Sequence, residues 1–208
     1  MTGRRRFIQS LPLLAFLPWS LRAVAALPAT PAQMPGPFYP LQPDPAAGND
    51  LATTDGRTRA QGTPLSIVGR VRDSAGRALA GVLVEIWQTN AHGRYHHPHD
   101  DSPAPRDPNF RGYGRDTTDG EGAYRFRTVL PVAYPGRTPH VHFRLSRDGR
   151  ELLVTQMYLP GAAGSGNRRD GLFMSVESGA RERLVGVAQA EAPGTLRFDI
   201  VVDGPGNR

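Results

Sequence analysis

Short runs of alternating side chains, each closed by Gly, Pro or Asp, constrain this chain to pleated sheet. The most informative run is His140-Val141-His142-Phe143-Arg144-Leu145, within a strand expected from His140 to Ser146. Successive side chains of an extended strand point to opposite faces, so both imidazoles share one face. Leu65 to Val71, Val82 to Trp87, Gly122 to Thr128, Glu151 to Tyr158 and Thr195 to Val202 read the same way. Asp73-Ser-Ala-Gly-Arg77 and Thr118-Asp-Gly-Glu-Gly122 supply turns. Strands do not alternate with helices, and only residues 176–190 lean towards helix, weakened by Gly179 and Gly186. The expectation is an all-β fold, an antiparallel β-sandwich core with long site-bearing loops and an extended N-terminal arm. The 24 glycines and 20 prolines among 208 residues suit so turn-rich a chain.

The N-terminal quarter divides in two. Arg4-Arg5-Arg6-Phe7-Ile8-Gln9 precedes an apolar run from Ser10 to Leu21, and Ala23-Val24-Ala25 gives a small-x-small cleavage pattern. Paired arginines before x-Phe-Ile resemble the twin-arginine export signal, which moves folded proteins. Residues 1–25 are therefore expected to be an export signal, and the mature protein to be periplasmic or secreted. The apolar run is short and broken by Pro12 and Pro18, which argues against a membrane anchor. Cleavage would lower the formal charge from +6 to +2, so the basic balance gives little support to a nucleic-acid partner. Residues 26–60 read as an extended Pro- and Ala-rich arm carrying Pro35-Gly-Pro-Phe-Tyr-Pro40, and residues 61–208 as one β-sandwich domain.

Candidate chemistry follows from where the histidines fall. All six lie either at His140 and His142 or in the long connection from Gln88 to Asp119, which carries His92, His96, His97 and His99. A connection of that length in a compact domain is expected to bear function. There is no cysteine, so a metal must be held by His, Tyr, Asp or Glu. No acidic residue stands close to His140 and His142, whereas Tyr134 lies six residues upstream and Tyr95 sits in the His-rich loop. A phenolate is a hard anionic donor suited to a trivalent ion such as Fe(3+). The residues alone do not choose among Tyr39, Tyr95, Tyr113, Tyr124, Tyr134 and Tyr158. The extra loop histidines read as a solvated loop rather than a second metal site.

Several ordered segments carry a resemblance. Val84-Glu-Ile-Trp-Gln-Thr-Asn-Ala-His-Gly-Arg-Tyr-His96, Asp107-Pro-Asn-Phe110, Gly112-Tyr-Gly-Arg115, Thr118-Asp-Gly120 and Tyr134-Pro-Gly-Arg-Thr-Pro-His-Val-His142 resemble the intradiol ring-cleavage dioxygenases, over about residues 36–202. The resemblance implies a β-sandwich and a non-haem ferric ion held by Tyr95, Tyr134, His140 and His142. It implies cleavage of a catechol between its two hydroxyl-bearing carbons with O2, giving a muconate-type diacid. Tyr134 would leave the metal and take up a proton, Arg137 would stabilise anionic character on the ring, and Gln156 would orient the substrate. Gly36, Pro37, Trp87 and Arg137 would line the substrate pocket.

Two departures from the family pattern stand out. Gly136 occupies a position where protocatechuate enzymes carry a bulky aromatic, which reshapes the pocket. No helical dimerisation region precedes the core, so the chain reads as more protocatechuate-like than catechol-type, with monomer and homo-oligomer both open. The competing readings are an exported, non-catalytic β-sandwich module that binds a metal or an aromatic ligand, and a structural β domain with a vestigial site.

Overall fold

The structure, a computed structural model, describes residues 25–203, so all of the expected export signal except Ala25 lies outside the described residues. Two sheets pack face to face. One contains β1 (Pro64–Asp73), β4 (Ala123–Val129), β7 (Val187–Ala188), β8 (Thr195–Arg197) and β9 (Ile200–Val202). The other has the order β3-β2-β5-β6, with β2 Leu83–Trp87, β3 Tyr113–Thr117, β5 His140–Arg147 and β6 Arg150–Tyr158. Apolar alternation puts Leu65, Ile67 and Val71 of β1 between the sheets with Val84, Ile86, Val141, Phe143 and Leu145 of β2 and β5. These side chains are essentially excluded from water, the main driving force for closing the sandwich.

The sandwich is as expected, but three local expectations are corrected. The run from Thr195 to Val202 is two strands, and both pair in parallel with β1 rather than antiparallel. The break falls at Phe198-Asp199, where the Phe198 N–H donates to the Val68 carbonyl and the Arg70 N–H to Asp199 Oδ1. Gly69 permits this approach, since a Cβ there would meet the Phe198 carbonyl oxygen at 2.0 Å. Secondly, the long connection contains a strand, β3, whose glycine and charges hid it; it pairs with β2 from Leu83↔Thr117 to Trp87↔Tyr113. Thirdly, the helical segment starts earlier than residue 176: α1 spans Gly171–Ser175 and a 3-10 helix spans Ser178–Leu184, after which the chain returns to strand.

The arm is built into both edges of the sandwich. On one side the Thr30 N–H donates to the Val201 carbonyl of β9, and the Gln33 N–H to the Val154 carbonyl of β6. The arm then crosses the outer face of the β3-β2-β5-β6 sheet. On the far side the Arg115 N–H donates to the Gly48 carbonyl, and Arg127 of β4 exchanges bonds with Asn49 and Leu51. Leu51 is fully buried in the core. The crossing occupies otherwise unpaired sheet edges and leaves Phe38 and Tyr39 packed on the outer face.

Candidate metal centre

Sheet register assembles the outer face. Tyr113, Trp87, His142 and Gln156 stand in one row across β3, β2, β5 and β6, and His140 pairs with Tyr158. Both histidines project from this face, as the strand period requires, and both are buried. His140 Nδ1 lies 2.6 Å from the Thr138 carbonyl oxygen. That oxygen can only accept, so Nδ1 carries the proton and the Nε2 lone pair is directed at His142. The His142 ring is stacked on Trp87, with centroids 4.8 Å apart and planes 5° from parallel.

The loop brings Tyr95 to the same point. Asn90 Oδ1 takes the N–H groups of His92 and Arg94, and the Tyr95 N–H donates to Asp100 Oδ2 at 2.7 Å. Tyr95 Oη then lies 3.1 Å from His142 Nε2 and 3.4 Å from His140 Nε2, and the two Nε2 atoms are 3.1 Å apart. Tyr134 completes the cluster from the other side, its ring centroid 5.6 Å from that of Tyr95 and 5.7 Å from that of His140. It is carried on a turn closed by the Arg137 N–H to the Tyr134 carbonyl, with Pro135 and then Gly136 (φ 80°) at the centre. Those are the residues a type II turn requires.

The six tyrosines thereby sort themselves. Tyr39 and Tyr113 both donate to Glu85, Tyr124 donates to the Phe198 carbonyl, and Tyr158 bonds with Gln33 and Gln156. Tyr95 and Tyr134 remain facing the histidines. Among the described residues no three His, Asp or Glu side chains converge, so the donors available to a cation here are two imidazoles and two phenols. Burial, and then the charge of Arg137, pushes His140 down to about 4; burial also holds His142 well below the usual imidazole range. Both are therefore neutral at physiological pH, with lone pairs to give. Burial, reinforced by Tyr134, holds the Tyr95 phenol well above its ordinary value, so its phenolate requires a nearby positive charge. Three electron-rich atoms within 3.4 Å, in a pocket that opposes imidazolium and phenolate alike, fit a bound cation.

Arg137 lies beside this cluster. Its guanidinium donates to Asp170 Oδ2 at 2.9 Å, to Gln156 Oε1 at 2.6 Å and to Tyr158 Oη at 3.3 Å. Gln156 Nε2 donates to the Met34 carbonyl of the arm. Gly36 sits against His142, where a Cβ would come 3.3 Å from Cε1. Phe38 packs on Tyr95 with centroids 4.6 Å apart, and Pro37 beside it is exposed. Trp87 is 1% exposed and forms the floor beneath His142 rather than an open wall. Of the extra histidines, His96 and His99 are exposed, His92 bonds with Gln61, and His97 is buried against Phe38.

Two residues escaped the sequence reading. Asp170 is wholly buried; it accepts from Arg137 and the Thr138 N–H with one oxygen, and from the Leu172 and Phe173 N–H groups with the other. An Asp opening the run Gly171-Leu-Phe-Met-Ser175 is a helix N-cap signal, but nothing local links it to Arg137. Glu85, also buried, holds Tyr39 and Tyr113 in the outer-face row adjoining Trp87.

Comparison with known proteins places the chain in a family. A family model described as "Dioxygenase" matches residues 34–204. The protocatechuate 3,4-dioxygenase beta chain of Burkholderia cepacia is 43% identical over 157 residues, covering 69% of this chain and 66% of that one. A chlorocatechol 1,2-dioxygenase of Pseudomonas putida is 33% identical over 144 residues, covering 61% and 52% respectively. The chain thus spans about half to two thirds of the length of these relatives. The solved dioxygenase domain of a carbohydrate-binding fusion protein from Streptomyces sp. SirexAA-E superposes with a TM-score of 0.66 at 32% identity, covering 85% of this chain and 99% of that domain. An intradiol ring-cleavage dioxygenase from Tetranychus urticae, 19% identical with a TM-score of 0.69 over 88% of this chain and 97% of that one, shares the fold. This chain belongs to the intradiol ring-cleavage dioxygenase family.

Proposed function

We propose that the chain holds a ferric ion with Tyr95, Tyr134, His140 and His142 and cleaves a catechol between its two hydroxyl-bearing carbons with O2. That ring bond breaks, and each of the two carbons gains one atom of O2, so catechol and O2 combine into a muconate-type diacid without loss of atoms. The supporting observation is the convergence of Tyr95 Oη and the two imidazole Nε2 atoms within 3.4 Å, with Arg137 held alongside. When bound, ferric iron would supply the Lewis acidity that makes a chelated catechol reactive towards O2.

The chain's own residues divide the remaining work. His140 and His142, fixed by the Thr138 carbonyl and the Trp87 stack, stay neutral and hold position. Tyr134, half-buried on a four-residue turn, is free to move aside and keep a catechol proton at Oη. Arg137 directs positive charge at the ring as it becomes anionic, in a site where burial strengthens the interaction. Gln156, anchored to Met34 and Arg137, orients the substrate, while Trp87, Phe38 and Gly36 exclude water from the protein side. The arginine pair and cleavage pattern at the N-terminus support export as a folded, iron-loaded protein.

The test is spectroscopic and kinetic. The iron-loaded protein should be red-brown from tyrosinate-to-ferric charge transfer, and should consume O2 with catechols. Tyr134→Phe should shift that band, and His142→Ala should abolish both band and O2 uptake. A colourless iron-loaded protein, or colour and turnover unchanged in both variants, would overturn the assignment.

A further inference from the structure

A groove of about 460 Å³ lies beside the site and shares Tyr134 and Arg137 with it. One wall is the turn through Gly136; the other is the segment containing Ser165, Arg169 and Asp170. Its volume lies within the range of small-molecule sites, roughly 300–1,000 Å³. At the turn, a Cβ on Gly136 would meet nothing within 4 Å, so no side chain fills this side. Asp170 is the sole acid in the lining, and its carboxylate is taken up by Arg137, by the Thr138 N–H and by the helix cap. Arg169 is exposed and, among the described residues, has no carboxylate partner. Arg137 and Asp170 offset one another, so the lining carries one net positive charge, that of Arg169. A substituent that entered this space from a ring held near Tyr134 and Arg137 would meet Arg169, the guanidinium that no carboxylate compensates.

Resting on the dioxygenase reading above, we infer that the substrate is a catechol bearing a side chain of several atoms that ends in a carboxylate, seated in this groove and selected by Arg169. A carboxylate attached directly to the ring would leave much of the groove unused; a longer acid would fill it. Because Arg169 is exposed, the selectivity is of exposed ion-pair size and should weaken with salt.

The experiment compares dihydrocaffeate, its methyl ester, protocatechuate and catechol on the iron-loaded full chain, by O2 uptake and by anaerobic binding titration. The expected kcat/KM for dihydrocaffeate exceeds that for its ester by about fivefold at low salt, and that for protocatechuate as well. The acid-to-ester ratio should fall towards one in Arg169→Gln and below one in Arg169→Glu, and in the wild type it should shrink at high salt. Ser165→Trp, an exposed change that narrows the groove, should lower the dihydrocaffeate-to-catechol ratio. Equal rates with acid and ester, or a ratio unmoved by Arg169→Glu, would overturn the inference while leaving ring cleavage intact. Failure to consume any of the four compounds would overturn both.

Discussion

Replacing Asp170 tests how Arg137 is kept in place. The Asp170 side chain has no exposed surface and that of Arg137 is 14% exposed, with Nε to Oδ2 at 2.9 Å. Asp170→Ala would leave a largely buried guanidinium facing an empty site, which costs about 3–5 kcal/mol. It would also uncap α1, adding about 1 kcal/mol. At about 2–4 °C per kcal/mol for a domain of this size, the unfolding midpoint should fall by about 10–20 °C. Asp170→Asn keeps an Oδ1 acceptor for the Leu172 and Phe173 N–H groups but turns an Nδ2 donor towards Arg137 and the Thr138 N–H, so it spares the cap alone and should cost about 3–5 kcal/mol. In a double-mutant cycle with Arg137→Ala, thermal unfolding should give a coupling of about 2 kcal/mol or more, because removing both partners relieves the unpaired charge. A coupling below about 0.5 kcal/mol would refute the argument. There is a pH signature too. Burial raises the Asp170 carboxyl, but the Thr138 N–H and Arg137 outweigh it, so its folded value lies below the ordinary 3.8. Its contribution is therefore fully present above the unfolded value and is lost as pH falls through the folded one. The wild type should lose stability more steeply than Asp170→Asn in that acid window.

Three further outcomes follow from the packing. Gly69→Ala would place a Cβ 2.0 Å from the Phe198 carbonyl oxygen and 2.7 Å from Tyr124 Oη, so soluble yield should collapse; a stable, soluble variant would show that β1 and the C-terminal strands do not meet as described. Tyr124→Phe removes only the hydroxyl that donates to the Phe198 carbonyl and should cost about 1 kcal/mol, read as a small fall in melting midpoint with O2 uptake unchanged. Glu85→Gln weakens the anchor for Tyr39 and Tyr113, so limited proteolysis should cut within residues 34–47 faster than in the wild type, with the core strands still protected.

What the sequence determined is what local geometry dictates. The two-residue period of β5 puts His140 and His142 on one face in any sheet that buries Val141 and Phe143. The short alternating runs closed by Gly, Pro and Asp leave a sandwich as the expected fold. The tertiary structure decided everything that depends on distant partners. It selected Tyr95 from the loop by way of Asn90 and Asp100, and it gave Arg137 its counter-charge in Asp170, thirty-three positions away. It also turned the arm into a strap that seals both sheet edges and seats Gly36 against His142 and Phe38 against Tyr95. β3 and the parallel pairing of β8 and β9 were hidden for the same reason. A strand rich in glycine and charge shows no period of its own, and its partner is fixed by the burial and register of the whole sandwich. Side-chain direction along a strand is set by the backbone and can be read from the sequence. Which strands, loops and charges come together depends on the packing of the whole chain, and appears only once it has folded.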